Sequence, residues 1–313
     1  MSRKIPSLKM DFIGKRKIAY ALSVAAILIS IVSLLFRGLN LAVDFTGGVV
    51  VEIGFAEGVE IPVVSSQLEH AGIGFSSIQY FGTNRDLVVR IPPRQDVDQT
   101  EIQQQFVNAL QGIGHTPPEI RRVDYVGAQV GEELVDKGGI ALLLSLGGIA
   151  LYIWMRFEAR FALGALAATL HDPIITLGYF SLTWTEFDLN VLAAVLAIVG
   201  YSVNDTIVIF DRIRENFRKV RGAEPADLMN ASINQTMSRS IITSGTTLMV
   251  SVVMLLFGGP QLYGFALALV IGILVGTYSS IYVASTVALD LGVSSKDLIP
   301  VTSEEQESET NSP

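Results

Sequence analysis

The 313-residue chain has no cysteine. That excludes disulfides and thiolate-held metals and leaves the redox compartment open. It has no GxxxxGK[ST] loop, so nothing in it supports an ATP-driven role. The Gly-X-Gly-Asp signature of intramembrane aspartyl proteases is missing too, although Asp172 and Asp205 both lie in apolar stretches. Charged residues are few, 17% of the chain, and unevenly spread. The net charge of −8 arises largely from 39–136 and from Glu304, Glu305, Glu307 and Glu309. The basic residues cluster elsewhere, so no nucleic-acid surface is implied.

Apolar residues are abundant, half of the total. Six runs are long enough, or nearly so, to cross a bilayer: Ile18–Phe36, Gly138–Met155, Phe161–Leu182, Leu189–Phe210, Ser240–Phe257 and Phe265–Leu289. The first has full span length with no small-residue cleavage site after it, so it reads as a retained span and not as a cleavable signal. Basic residues orient the spans. Arg3, Lys4, Lys9, Lys15, Arg16 and Lys17 precede the first; Arg156 and Arg160 flank the second-to-third connection; Arg212, Arg214, Arg218, Lys219 and Arg221 follow the fourth. The connections 183–188 and 258–264 contain no Lys or Arg. Both termini (1–17 and the acidic tail 290–313) are therefore expected in the cytoplasm. Trp154, Tyr152, Trp184 and Phe187 fall near expected interfaces, as aromatic belts do. The segment 211–239 reads as a cytoplasmic loop with an amphipathic helix beginning at Pro225.

Residues 37–137 form an insert on the opposite, periplasmic side. Val49–Phe55 reads as a strand, Pro62–His70 as a short helix, and Phe75–Phe81 and Leu87–Ile91 as strands joined by a Gly-Thr-Asn-Arg turn. In Asp98–Leu110, Ile102, Phe106 and Leu110 share one helical face. Glu119–Val126 reads as a last strand. This β-α-β-β-α-β order predicts an α+β ferredoxin-like module, a common binding platform. His70 and His115 read as surface or capping residues. The expected fold class is a polytopic α-helical membrane protein with six transmembrane helices and one such insert.

Four clusters stand out. Asp205 lies in the apolar part of the fourth span, where a carboxylate is costly and is read as functional with a partner to be named. Tyr201, Ser202 and Asn204 accompany it, and Arg239, opening the fifth span with Thr243 on its face, is the expected partner at similar depth. An opposite charge favours the ionised carboxylate and desolvation the protonated one, so a pair that separates and re-forms would switch Asp205. His171-Asp172-Pro173 in the third span reads either as a hydrogen-bonded knot beside a proline kink or as a proton relay. Asp44, Phe45, Gly47 and Gly48 mark either a tight turn or a hinge between insert and membrane. Gly272, Gly276 and Ser280 form a small-residue stripe for helix packing.

Five stretches carry a resemblance: Asp44-Phe45-Thr46-Gly47-Gly48, His171-Asp172-Pro173, GYSVNDTIVIFDRIREN at Gly200–Asn216, QTMSRSIITSGTTL at Gln235–Leu248 and GTYSS at Gly276–Ser280. From about Met10 to Asp290 the chain resembles the SecF family of protein-export membrane subunits, within the resistance-nodulation-division (RND) superfamily. The resemblance implies a partner, SecD, forming the other six-span half. It also implies work with the SecYEG channel and YajC, downstream of SecA, on preproteins, using the proton-motive force and no cofactor or metal. It carries proton transport onto Asp205 and Arg239. Two other readings stay open: half of a small-molecule RND exporter, or a passive scaffold for the Sec channel.

Overall fold

The computed structural model describes residues 10–93, 99–113, 116–220 and 222–293. Arg3, Lys4, Lys9, Asp98, His115, Arg221 and the tail from 294 onward lie outside the described residues. In chain order the elements are α1 (Arg16–Phe36), β1 (Asn40–Leu41), α2 (Val43–Thr46), β2 (Gly48–Gly54), α3 (Ile61–His70), β3 (Ser77–Phe81), β4 (Thr83–Ile91), α4 (Gln99–Leu110), β5 (Glu119–Val126), α5 (Ala128–Arg156), α6 (Ala159–Thr183), β6 (Glu186–Phe187), α7 (Leu189–Lys219), α8 (Pro225–Phe257), α9 (Pro260–Ser279), a π-helical turn (Ser280–Ala284) and α10 (Ser285–Asp290).

Among the described residues, six helical segments are long and apolar enough to span a bilayer, and the chain is a multi-pass membrane protein. The helices outrun the apolar runs that announce them. α7 continues past Phe210 to Lys219, and α8 starts at Pro225 and runs unbroken into the fifth span. Only 220–224 separates them, so the helix expected from Pro225 does start there, but it is the beginning of α8 and continuous with the fifth span, and 211–239 is two helix ends and a short link. Hydropathy stops where charges begin, but the backbone ladder extends into water at no penalty. Pro225 sits in the first turn of α8, where its missing N–H is unneeded.

α7 packs on α8, α9 and α6, and α6 also packs on α1. Gly272 of α9 faces Ile198 of α7 so closely that a Cβ there would overlap the isoleucine side chain. The small-residue stripe is thus an intramolecular contact, by which the backbones of α7 and α9 approach. α1, α5 and α8 expose large apolar side chains, among them Phe36, Leu143, Leu144, Met249 and Phe257.

The insert pairs its strands in the order β3-β4-β2-β5, all antiparallel. With the two crossover helices α3 and α4 this is the ferredoxin-like arrangement. Alternation decides its faces. Val49, Val51, Ile53, Leu87, Val89 and Ile91 are buried and join Val64, Leu68, Phe106 and Leu110 of the helices in one core. The turn between β3 and β4 is tighter than the sequence indicates: Gly82 supplies a positive φ of 80°, and Thr83 already pairs with Phe81.

Candidate functional site

The polar residues of the spans converge on the α6–α7–α8–α9 contact. α7 presents Ser202, Asp205 and Thr206, all nearly buried, from one face. α6 contributes His171 and Asp172, which are 2% and 0% exposed. The helix passes through Pro173 without interruption, and the Thr176 hydroxyl donates to the Asp172 carbonyl at 2.9 Å.

Both oxygens of Asp172 are engaged. Oδ2 accepts from the hydroxyls of Ser202 and, at 2.8 Å, Ser279; Oδ1 lies 2.9 Å from His171 Nδ1. The His171 ring stacks on Tyr278, whose hydroxyl reaches Ser23 and the Ala19 carbonyl of α1. This cluster ties four helices into one knot. The π-helical turn extends it: the Ser280 hydroxyl lies 2.8 Å from Thr206 Oγ1 and donates to the Ser202 carbonyl. Gly276 leaves the necessary room, since a Cβ there would lie 3.0 Å from Ser202 Cβ. π-turns inside helices occur often at functional positions.

Asp205 differs. Oδ1 accepts from the Ser240 hydroxyl of α8 at 2.5 Å, and Oδ2 is buried with no hydrogen-bond partner. The Tyr201 hydroxyl, one turn earlier, is also buried and unpartnered. Arg239 is exposed and near enough to act on Asp205 electrostatically, but among the described residues the two form no ion pair. Thr243 is exposed and bonds back to the Arg239 and Ser240 carbonyls of its own helix. Asn204 points out of the bundle. The sequence drew attention to Arg239 and Thr243; the side chain that holds Asp205 is Ser240, one residue along and about 100° round the helix. Only a serine inside an apolar run hinted at it.

A second cluster lies where the insert meets the membrane. β1 pairs in parallel with β6, and Ala42 N–H donates to the Phe187 carbonyl at 2.9 Å. Asp44 Oδ2 accepts from Leu189 N–H, and Asp188 caps the same helix by accepting from Val191 N–H at 2.7 Å. Two carboxylates thus serve the N-terminus of α7, where negative charge is favoured. Burial pushes the Asp188 carboxyl above its ordinary value, the Val191 bond opposes that, and neighbouring Asp44 adds to it. Phe45 stacks on Phe187 at 5.9 Å. Gly47 has φ 69°, and a Cβ there would lie 2.7 Å from Ala128 Cα, so the strand entering the insert and the helix leaving it touch backbone to backbone.

Two family models match. Residues 105–294 match the protein export membrane protein SecD/SecF, C-terminal, and residues 32–59 match the SecD/SecF GG motif, which includes Gly47 and Gly48. The protein translocase subunit SecF of Vibrio alginolyticus is 48% identical over 291 residues, 93% of this chain and 92% of its own. The Pseudomonas aeruginosa subunit of the same name is 46% identical over 292 residues, 93% of this chain and 94% of its own. The crystal structure of Thermus thermophilus SecDF, a translocon-associated membrane protein, superposes with a TM-score of 0.82 at 35% identity. That match covers 93% of this chain and 40% of the SecDF chain, so this chain spans about two fifths of that protein. The chain belongs to the SecD/SecF family of protein-export membrane proteins, as a SecF subunit of the protein translocase.

Proposed function

We propose that this subunit joins a SecD partner and uses the proton-motive force to complete preprotein export after SecA has started it, with Asp205 as the group that takes up and releases the proton. The observation that carries the reading is the asymmetry of Asp205: one oxygen held by Ser240, the other buried and open. A carboxylate in that state accepts a proton without breaking an existing bond. Arg239 acts on it across a gap, as an opposite charge does. Asp172 has every acceptor engaged and serves as the packing knot, with His171 holding it in place.

The energetics support it in outline. One charge crossing about 100 mV yields about 2.3 kcal/mol, enough to bias a conformational equilibrium of that size. The partner assignment rests on the relatives, because the Thermus SecDF chain is more than twice as long as the part this chain matches. The exposed apolar faces of α1, α5 and α8 offer area for lipid and for such a partner. In this reading both termini are cytoplasmic, the insert is periplasmic, the membrane is the bacterial inner membrane, and SecYEG and YajC are neighbours.

The test is completion of export in inverted vesicles. A preprotein is partly translocated with SecA and ATP, the ATP is removed, and a proton gradient is applied. Completion by the wild type and not by Asp205→Asn at equal expression supports proton coupling. Equal completion by both leaves the subunit a scaffold and the reading fails.

A further inference from the structure

Arg90 is the one charged residue among the described residues of the insert's sheet that is buried on the face away from α3 and α4. In β4 it pairs with Val50 and so points opposite to Val89 and Ile91, towards a cleft of about 310 Å³ between the sheet and the membrane-side connections. Its neighbours on that face, Glu52, Val88, Arg122 and Asp124, are all more open; Arg90 is 8% exposed. Its guanidinium forms an ion pair with Glu186 of β6. Burial pushes the guanidinium below its ordinary value, and Asp188 opposes that by favouring its charge. Arg90 Nε is buried without a partner.

An arginine buried to that degree carries a desolvation cost that a pair with the half-exposed Glu186 offsets only in part, so the pair is weak evidence for stability and its position is the feature to account for. The geometry it fixes is specific. The chain enters and leaves the insert side by side, at Gly47 and Ala128. Two adjacent passages define a hinge, and glycine with positive φ at that hinge does not stiffen it. A third contact from another strand sets the angle. Glu186 lies two residues before Asp188, the cap of α7, and α7 carries Ser202 and Asp205. We infer that Arg90 is a positioning residue: its pair with Glu186 clamps the insert to the α6–α7 connection, so that a shift of α7 is passed to the insert as a rotation. This rests on the proton-driven reading above for its purpose, not for its geometry.

The test uses the absence of cysteine. Gln67→Cys on α3 and Leu262→Cys at the start of α9 are spin-labelled in the full chain in lipid nanodiscs, and the distance between them is measured. The clamp predicts a single narrow distance in the parent, a broadened or two-component distribution in Arg90→Ala and in Glu186→Gln, and return of the narrow distance in the charge swap Arg90→Glu with Glu186→Arg. An unchanged distance in both single variants overturns it, as does a swap that fails to restore the parent distance. Glu186→Gln guards against misfolding, because that side chain is more exposed than Arg90. A clamp that fails this test leaves the export comparison of wild type and Asp205→Asn unaffected, and a failure there leaves the distances standing, so the two claims fall separately.

Discussion

Ser240 of α8 donates its hydroxyl hydrogen to Asp205 of α7 at 2.5 Å, and it is the only hydrogen-bonding side chain that Asp205 has among the described residues. The contact crosses the interface between two spans, so the state of Asp205 and the packing of α8 on α7 are tied to one another. In the proposed reading, protonation of Asp205 changes the charge that Ser240 and Arg239 face, and the two helices are expected to respond together.

Ser240→Ala leaves Asp205 without any hydrogen bond. A buried acceptor so stranded costs about 1–3 kcal/mol. Stability in detergent, read by thermal unfolding, is expected to fall by that amount, and gradient-driven export to weaken. Ser240→Thr keeps the hydroxyl and is expected to restore both measurements.

Asp172 separates from Asp205 by phenotype. Asp172→Ala strands the Ser202 hydroxyl, leaves Ser279 only its bond to the Gly276 carbonyl, and costs about 1–3 kcal/mol, read as a lower unfolding temperature. Asp205→Asn keeps its Ser240 contact and is expected to unfold near the wild-type temperature while losing gradient-driven export. The reverse pattern would exchange the roles assigned to the two carboxylates.

Gly272→Ala places a methyl against Ile198 Cδ1, closer than carbon atoms approach. The helices must part or the isoleucine must leave its rotamer, at about 1–3 kcal/mol. Gly245 of α8, where an added Cβ would meet nothing within 4 Å, is the control: Gly245→Ala is expected to be neutral or slightly stabilising, because alanine is the better helix former.

Asp188 gives a pH signature. Its carboxyl is raised by burial in the folded chain, so the fold favours the protonated form. The stability it contributes is complete below the ordinary carboxylate value, about 4, and is lost as pH rises through the raised value. Asp188→Asn keeps an oxygen for Val191 N–H and removes the titration. The melting temperature of the wild type is expected to drop relative to that variant as pH rises from about 4 to neutrality. A constant difference across that range would contradict the assignment.

Much of this architecture is legible in the residues. The Val- and Ile-rich run Val49–Phe55 announces a strand, and the six expected elements of the insert all end within two residues of where the structure ends them. A carboxylate in an apolar run announces Asp205. What is hidden has no local pattern. β1 and β6 are two residues each and exist only because they pair with one another across the chain. The π-turn at Ser280–Ala284 reads as ordinary helix. Ser240 and Arg239 are neighbours in sequence, and charge draws the eye to Arg239, but helical rotation turns the serine inward and leaves the arginine outside. Arg90 carries no local signal; its ion-pair partner, Glu186, lies in a connection far along the chain.

The most direct test of the account is infrared difference spectroscopy of the reconstituted subunit across a pH jump, following the carboxyl C=O stretch. The account predicts a band for a protonated carboxyl in a poorly hydrogen-bonded site that appears on acidification, is absent in Asp205→Asn, and shifts in Ser240→Ala. A band that persists unchanged in Asp205→Asn would contradict the claim that Asp205 carries the proton.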